Sequence, residues 1–151
     1  SLATSDGTSL SAEDLRGQWT IVTFWGLWSE DSIADLRFMK ALDRAIDQDP
    51  ELNFAAIHVP QPGNEIEAPY GAYLSLTQGL ADQGAPFPTA EDANGTASSM
   101  LGITSTPTYL LIGPDLAIEA QRGAIAPDET DGIKSMLQGV AEIKKQIVVS
   151  P

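Results

Sequence analysis

The chain has 151 residues, enough for one domain with a real core and too few for two comfortable ones. Its 8 basic side chains stand against 21 acidic ones, and the resulting net charge of −13 repels a phosphate backbone or an anionic membrane, so nucleic acid is not the expected partner. There is no cysteine, which excludes disulfides, thiolate metal sites and thiol chemistry in this chain.

In chain order, residues 1–9, "SLATSDGTS", are small and polar and read as a flexible lead-in. A short helical turn follows, with Ser11 as cap, Asp14 three positions on and Gly17 as stop. "WTIVTFWG", Trp19 to Gly26, is β-branched and aromatic with little polarity on either face, the pattern of a strand buried on both sides. From Ser32 the apolar positions Ile33, Leu36, Met39, Leu42 and Ile46 take helical spacing until Asp49-Pro50. "LNFAAIHV", Leu52 to Val59, is a second buried strand, and the three elements make a right-handed βαβ unit.

"QPGNEIEA" is a polar loop. A helix is expected from Pro69, carrying Tyr70, Tyr73, Leu74, Thr77 and Leu80 and ending near Gly84. "APFPTAEDANG" reads as loop and turn, and "TASSMLG" as a short helix stopped by Gly102. Thr108 to Gly113 and Ala117 to Gly123 are the strands of a hairpin turned at Pro114-Asp115, and a last helix spans 128–147. With no repeat and no linker, residues 10–151 are expected to be a single domain of order β-α-β-α-β-β-α. No run reaches the roughly 18 apolar residues of a membrane span. The chain opens at Ser1, so any export signal or anchor would lie outside it.

Chemistry-bearing residues are few. Ser29 suits a helix cap, with Glu30 and Asp31 beside the positive end of the helix dipole. No general base for a serine nucleophile is evident, and the lone His58 reads as a satisfied residue at a strand end. Glu91 and Asp92 before Asn94-Gly95 lack the distal glutamate of a calcium loop and read as a turn. Trp25 and Trp28 are packing residues first, Trp28 being the better candidate for recognition. No phosphate loop, basic stripe or metal-ligand cluster stands out, so neither cofactor nor metal is expected.

Three stretches together resemble one family. "GQWTIVTFWGLWSEDS" resembles the segment "GK-x-x-x-x-x-FWA-x-WC-x-x-C" of TlpA/ResA-like thiol–disulfide oxidoreductases of the thioredoxin-like superfamily. "PFPTAEDANGTASSMLGI" and "GITSTPTYLLIGPDLAI" resemble that group's later motifs, in the same order. The resemblance covers the chain from about Leu10. It implies a thioredoxin-like α/β fold, with a central mixed sheet flanked by helices and an extra helical insertion before the last ββα unit. It also implies an envelope-facing or periplasmic setting, with a cytoplasmic one left open. Ser29 and Ser32 fall on the two redox cysteines, and Pro107 on the cis-proline facing them. Trp28, Glu30, Asp31, Thr106 and Pro107 are the implied groove for an extended peptide or protein partner.

Where the chain departs from that pattern, the chemistry departs with it. A thiolate attacks and a second thiol resolves in disulfide exchange; a serine hydroxyl does neither. Glu30 and Asp31 place acids where a thiolate would need stabilising, and Arg37 stands where many relatives carry a helix-kinking proline, with Asp35 on their common acidic position. Two functions follow as expectations. One is a redox-inactive module binding a peptide or protein at the cell envelope. The other is a TlpA-like oxidoreductase with both active-site cysteines changed to serine. Oligomeric state is not legible.

Overall fold

A computed structural model describes residues 1–61, 68–125 and 129–149, so the polar loop at 62–67 and the start of the last helix at 128 lie outside it. Five strands form the central sheet: β3 (Trp19–Trp25), β4 (Leu52–His58), β5 (Thr89–Glu91), β6 (Thr108–Ile112) and β7 (Ile118–Arg122), in the order β5-β4-β3-β6-β7. β4 runs parallel to β3 and β5 parallel to β4, while β6 is antiparallel to β3 and β7 to β6. The sheet is mixed, with helices packed against it. Register puts Trp25 opposite His58 and Phe24 opposite Thr108, so the ends of β3 and β4 meet the start of β6 at one edge. That edge carries the candidate site.

Strand β3 is buried nearly throughout, and its alternation feeds two cores. Ile21 and Trp25 join the larger one, with Phe38, Met39 and Leu42 of α2 (Leu36–Asp47) and Met136 and Val140 of α5 (Glu129–Val149). Val22 and Phe24 face the smaller one, covered by Leu2, Leu10, Leu15, Trp28 and Ile103. The apolar stripe expected for the first long helix is the buried face of α2.

Four elements differ from the sequence reading, each for a local reason. The lead-in carries paired backbone in the structure. β1 (Leu2–Ala3) pairs with β2 (Ser9–Leu10), and Thr4 and Ser5 bond to the edge strand β5, the Ser5 amide donating to Thr89 O at 2.9 Å. The first helix starts earlier, as α1 (Glu30–Ala34), and breaks at Asp35, whose amide donates to both Asp31 O and Ser32 O at 3.1 Å. Without the proline of the resembled pattern, this break coincides with a fully buried aspartate. The insertion helix α3 spans only Leu76–Gln83, because Gly71 sits at φ +63° and Ser75 supplies the cap, its side chain accepting from Gln78 N. Finally, "TAE" within the expected loop is β5, a three-residue strand too short to show periodicity.

Candidate functional site

At the end of β3 the chain turns through Gly26, Leu27 and Trp28 into α1. Ser29 is extended at the turn's end, and its Oγ accepts from Ser32 N at 3.2 Å, the cap that its position suggests. Ser29 is 6% exposed and Ser32 fully buried, with Ser32 Oγ accepting from Gly26 N at 3.1 Å. Thr106 Oγ1 donates to Ser29 Oγ at 2.9 Å, and the Thr106–Pro107 peptide bond is cis. Both serine oxygens are therefore engaged in holding the turn. Neither has a basic side chain among its hydrogen-bond partners. A free hydroxyl poised beside a base, as nucleophilic catalysis requires, is not formed by the described residues.

The turn is held from below by the strand next door. Leu27 N donates to His58 Nε2 at 3.0 Å, which fixes that nitrogen as the acceptor and leaves any ring proton on Nδ1. His58 is 2% exposed and its Nδ1 lies 3.4 Å from Glu91 Oε2, in ion-pair range but without hydrogen-bond alignment. Tyr70 donates its hydroxyl to Glu91 Oε1 at 2.7 Å, and that bond, with burial and the carboxylate's charge, pushes the phenol up to about 12. Trp28 donates its indole N–H to Val59 O at 2.8 Å, laying the ring over Gly26, where any side chain would collide with it. Gly71 approaches the Leu27 carbonyl equally closely, so the segment before α3 also closes on the turn.

A groove of about 650 Å³ opens beside this turn. Of the five residues expected to form it, Trp28, Asp31 and Thr106 line it together with Ser29. Glu30 is exposed next to Asp31, and Pro107 is buried behind Thr106. Its other walls come from Val59 to Gln61 and from α4 (Thr96–Met100) with the loop 103–105, which residue-type reasoning missed because Ser, Thr and Asn carry no chemical signature of their own. Glu91 and Asp92 do not share a cation loop: Asp92 instead caps α4, accepting from Ala97 N at 3.1 Å and Ser98 N at 2.9 Å. Among the described residues no three His, Asp or Glu side chains converge as metal ligands would.

Comparison with known structures finds the same architecture repeatedly. The exposed lipoprotein thioredoxin of Streptococcus pneumoniae superposes with a TM-score of 0.68 at 18% identity, over 93% of this chain and 96% of that one. A secreted disulfide oxidoreductase of Mycobacterium tuberculosis gives 0.64 at 16% identity, over 89% and 93%. A thiol-disulfide oxidoreductase of Bacteroides fragilis gives 0.64 at 18% identity, over 90% and 94%. The chain has the thioredoxin-like fold. No family model and no curated protein matches it. Its similarity to these oxidoreductases is one of architecture, and this chain has no cysteine. No helix among the described residues is long and apolar enough to cross a membrane.

Proposed function

We propose that the chain is a thioredoxin-fold binding module that holds an extended segment of a peptide or protein in the groove beside Ser29 and Thr106, without dithiol exchange. One observation carries it: the two hydroxyls at the turn are both committed to structural bonds beside an open groove. The groove's far lip also suits an extended guest. Thr104 and Ser105 are exposed, and their amides meet no main-chain acceptor among the described residues, leaving donors for a strand laid alongside. The lipoprotein and the secreted oxidoreductase among its structural neighbours support placing the module at the cell envelope.

The second reading, a TlpA-like oxidoreductase whose cysteines have been changed to serine, predicts different behaviour when sulfur is returned. The Ser29→Cys/Ser32→Cys protein would then reduce insulin briskly, with a thiol pKa well below the free-cysteine value of about 8.5. Under the binding-module reading Glu30 and Asp31 oppose a thiolate at close range, and turnover is sluggish with a pKa near or above that value. The unaltered chain, having no cysteine, is expected to be inactive in dithiol exchange in either case. Brisk turnover by the restored protein would overturn the module reading.

A further inference from the structure

All eight basic residues of the chain lie at 16, 37–44 or 122–145, and none occurs between 45 and 121. That interval carries ten carboxylates and, with the turn at 28–31, builds the whole groove lining. Asp31 is the one charged lining residue, and Glu30 stands exposed beside it. Neither carboxylate pairs with a basic side chain among the described residues. Three of the eight cations are held elsewhere: Arg16 pairs with Glu13, Lys144 with Glu51, and Lys40 donates to Gln83 O. The groove is thus a concave surface whose one charged lining residue is an acid, a geometry that favours an incoming cation.

On the reading that the groove holds an extended segment, we infer that its guest is cationic, with a Lys or Arg side chain set against Glu30 and Asp31. The Ser99 hydroxyl and the Asn94 amide suit main-chain groups of any sequence, the Ser98 hydroxyl being held by Gly95 O, so charge is the selective feature assigned to the groove. An acidic guest would meet two unpaired carboxylates and the field of the whole chain.

The test uses blocked peptides of one Thr/Val/Gly scaffold carrying Lys, Gln or Glu at the same positions, titrated by calorimetry with the amide shifts of Ser105 and Thr106 followed by NMR. The Lys peptide is expected to bind about fivefold more tightly than the Gln peptide, as two exposed ion pairs would give. Raising salt from about 0.1 M to about 1 M should erase that margin. Glu30→Gln/Asp31→Asn should erase it too, whereas Asp115→Asn/Glu119→Gln, an equal charge change at the opposite end of β6 and β7, should leave most of it. Equal binding of Lys and Gln peptides overturns the charge selectivity and leaves the groove reading standing. An equal loss in the far-end variant also overturns it, by assigning the effect to net charge alone. Binding of no peptide overturns the groove reading and this inference with it.

Discussion

Behind the turn at Trp28–Ser32 stand two carboxylates, Asp35 at the break between α1 and α2 and Glu91 at the end of β5. They anchor the site by different means. Asp35 is fully buried, and its oxygens accept from Tyr109 OH at 2.7 Å and from Ile125 N at 3.1 Å, tying the helix break directly to β6 and the chain leading to α5. Burial, then the Asp35 charge and hydrogen bond, push the Tyr109 phenol far above its ordinary value. Glu91 is partly exposed and reaches the turn at one remove, holding Tyr70 by a hydrogen bond and facing His58, which in turn accepts from Leu27 N. A buried carboxylate with its bonds made is costly to disturb, while a relay at the margin of solvent loses less when any one member is cut. The contrast assigns stability of the fold to the first anchor and the shape of the turn to the second.

The largest expected effect is therefore Asp35→Ala. It strips the acceptor from two donors at once in a buried site and should cost about 3 kcal/mol, read as a lower urea midpoint at unchanged slope. Asp35→Asn keeps one acceptor oxygen and should lose visibly less. A loss under about 1 kcal/mol for the alanine variant would show that the helix break does not depend on this anchor.

His58→Ala comes next, at about 2 kcal/mol, since it leaves the buried Leu27 amide without an acceptor and opens a void beside Trp25. Its particular signature is hydrogen exchange: the Leu27 amide should lose protection while amides in the middle of β3 keep theirs. Retained protection at Leu27 would mean that His58 packs against the turn without holding it.

The sequence disclosed these two anchors unequally, and the reason is physical. Asp35 falls on an acidic position of the resembled motif, but nothing in the sequence singles it out as an anchor, because its partners Tyr109 and Ile125 are distant in the chain. His58 was legible as a satisfied strand-end residue. Glu91 reads as part of a turn because β5 is only three residues long, below the length at which alternation can be seen. The Trp28–Ser32 turn and Thr106-Pro107 carried recognisable motifs, whereas the Ser- and Thr-rich groove wall is assembled by folding from residues of no distinctive type. The spacing predicts Tyr70 on a helix, and the left-handed Gly71 prevents it, leaving its hydroxyl directed at Glu91.

A smaller effect tests the outer end of the relay. Tyr70→Phe removes one bond to a partly exposed carboxylate and should cost about 1 kcal/mol near neutral pH. Its pH signature is more telling. The Tyr70 phenol is raised from 10.0 to about 12 in the folded chain, so its contribution is complete below pH 10 and is lost as pH rises through about 12. In that window the unfolded chain releases the proton first and stability falls. The Phe variant should show a shallower alkaline decline, measured by urea titrations at a series of pH values. An unchanged slope would remove Tyr70 from the relay.

The smallest expected quantity is the coupling between the two anchors. Their groups share no hydrogen-bond partner among the described residues, and they act through strands on opposite sides of β3, Tyr109 on β6 and Glu91 on β5. What they have in common is the polypeptide between Leu27 and Asp35, with the cap at Ser29 lying between them. A cycle of Asp35→Asn and Tyr70→Phe, chosen because each is the milder change at its anchor, should be additive within about 0.5 kcal/mol. Coupling well above that would mean that strain passes along the turn from one carboxylate to the other, and that the groove's shape responds to both. Additivity keeps them separate, so that the relay through His58 can be varied to reshape the groove while Asp35 preserves the fold.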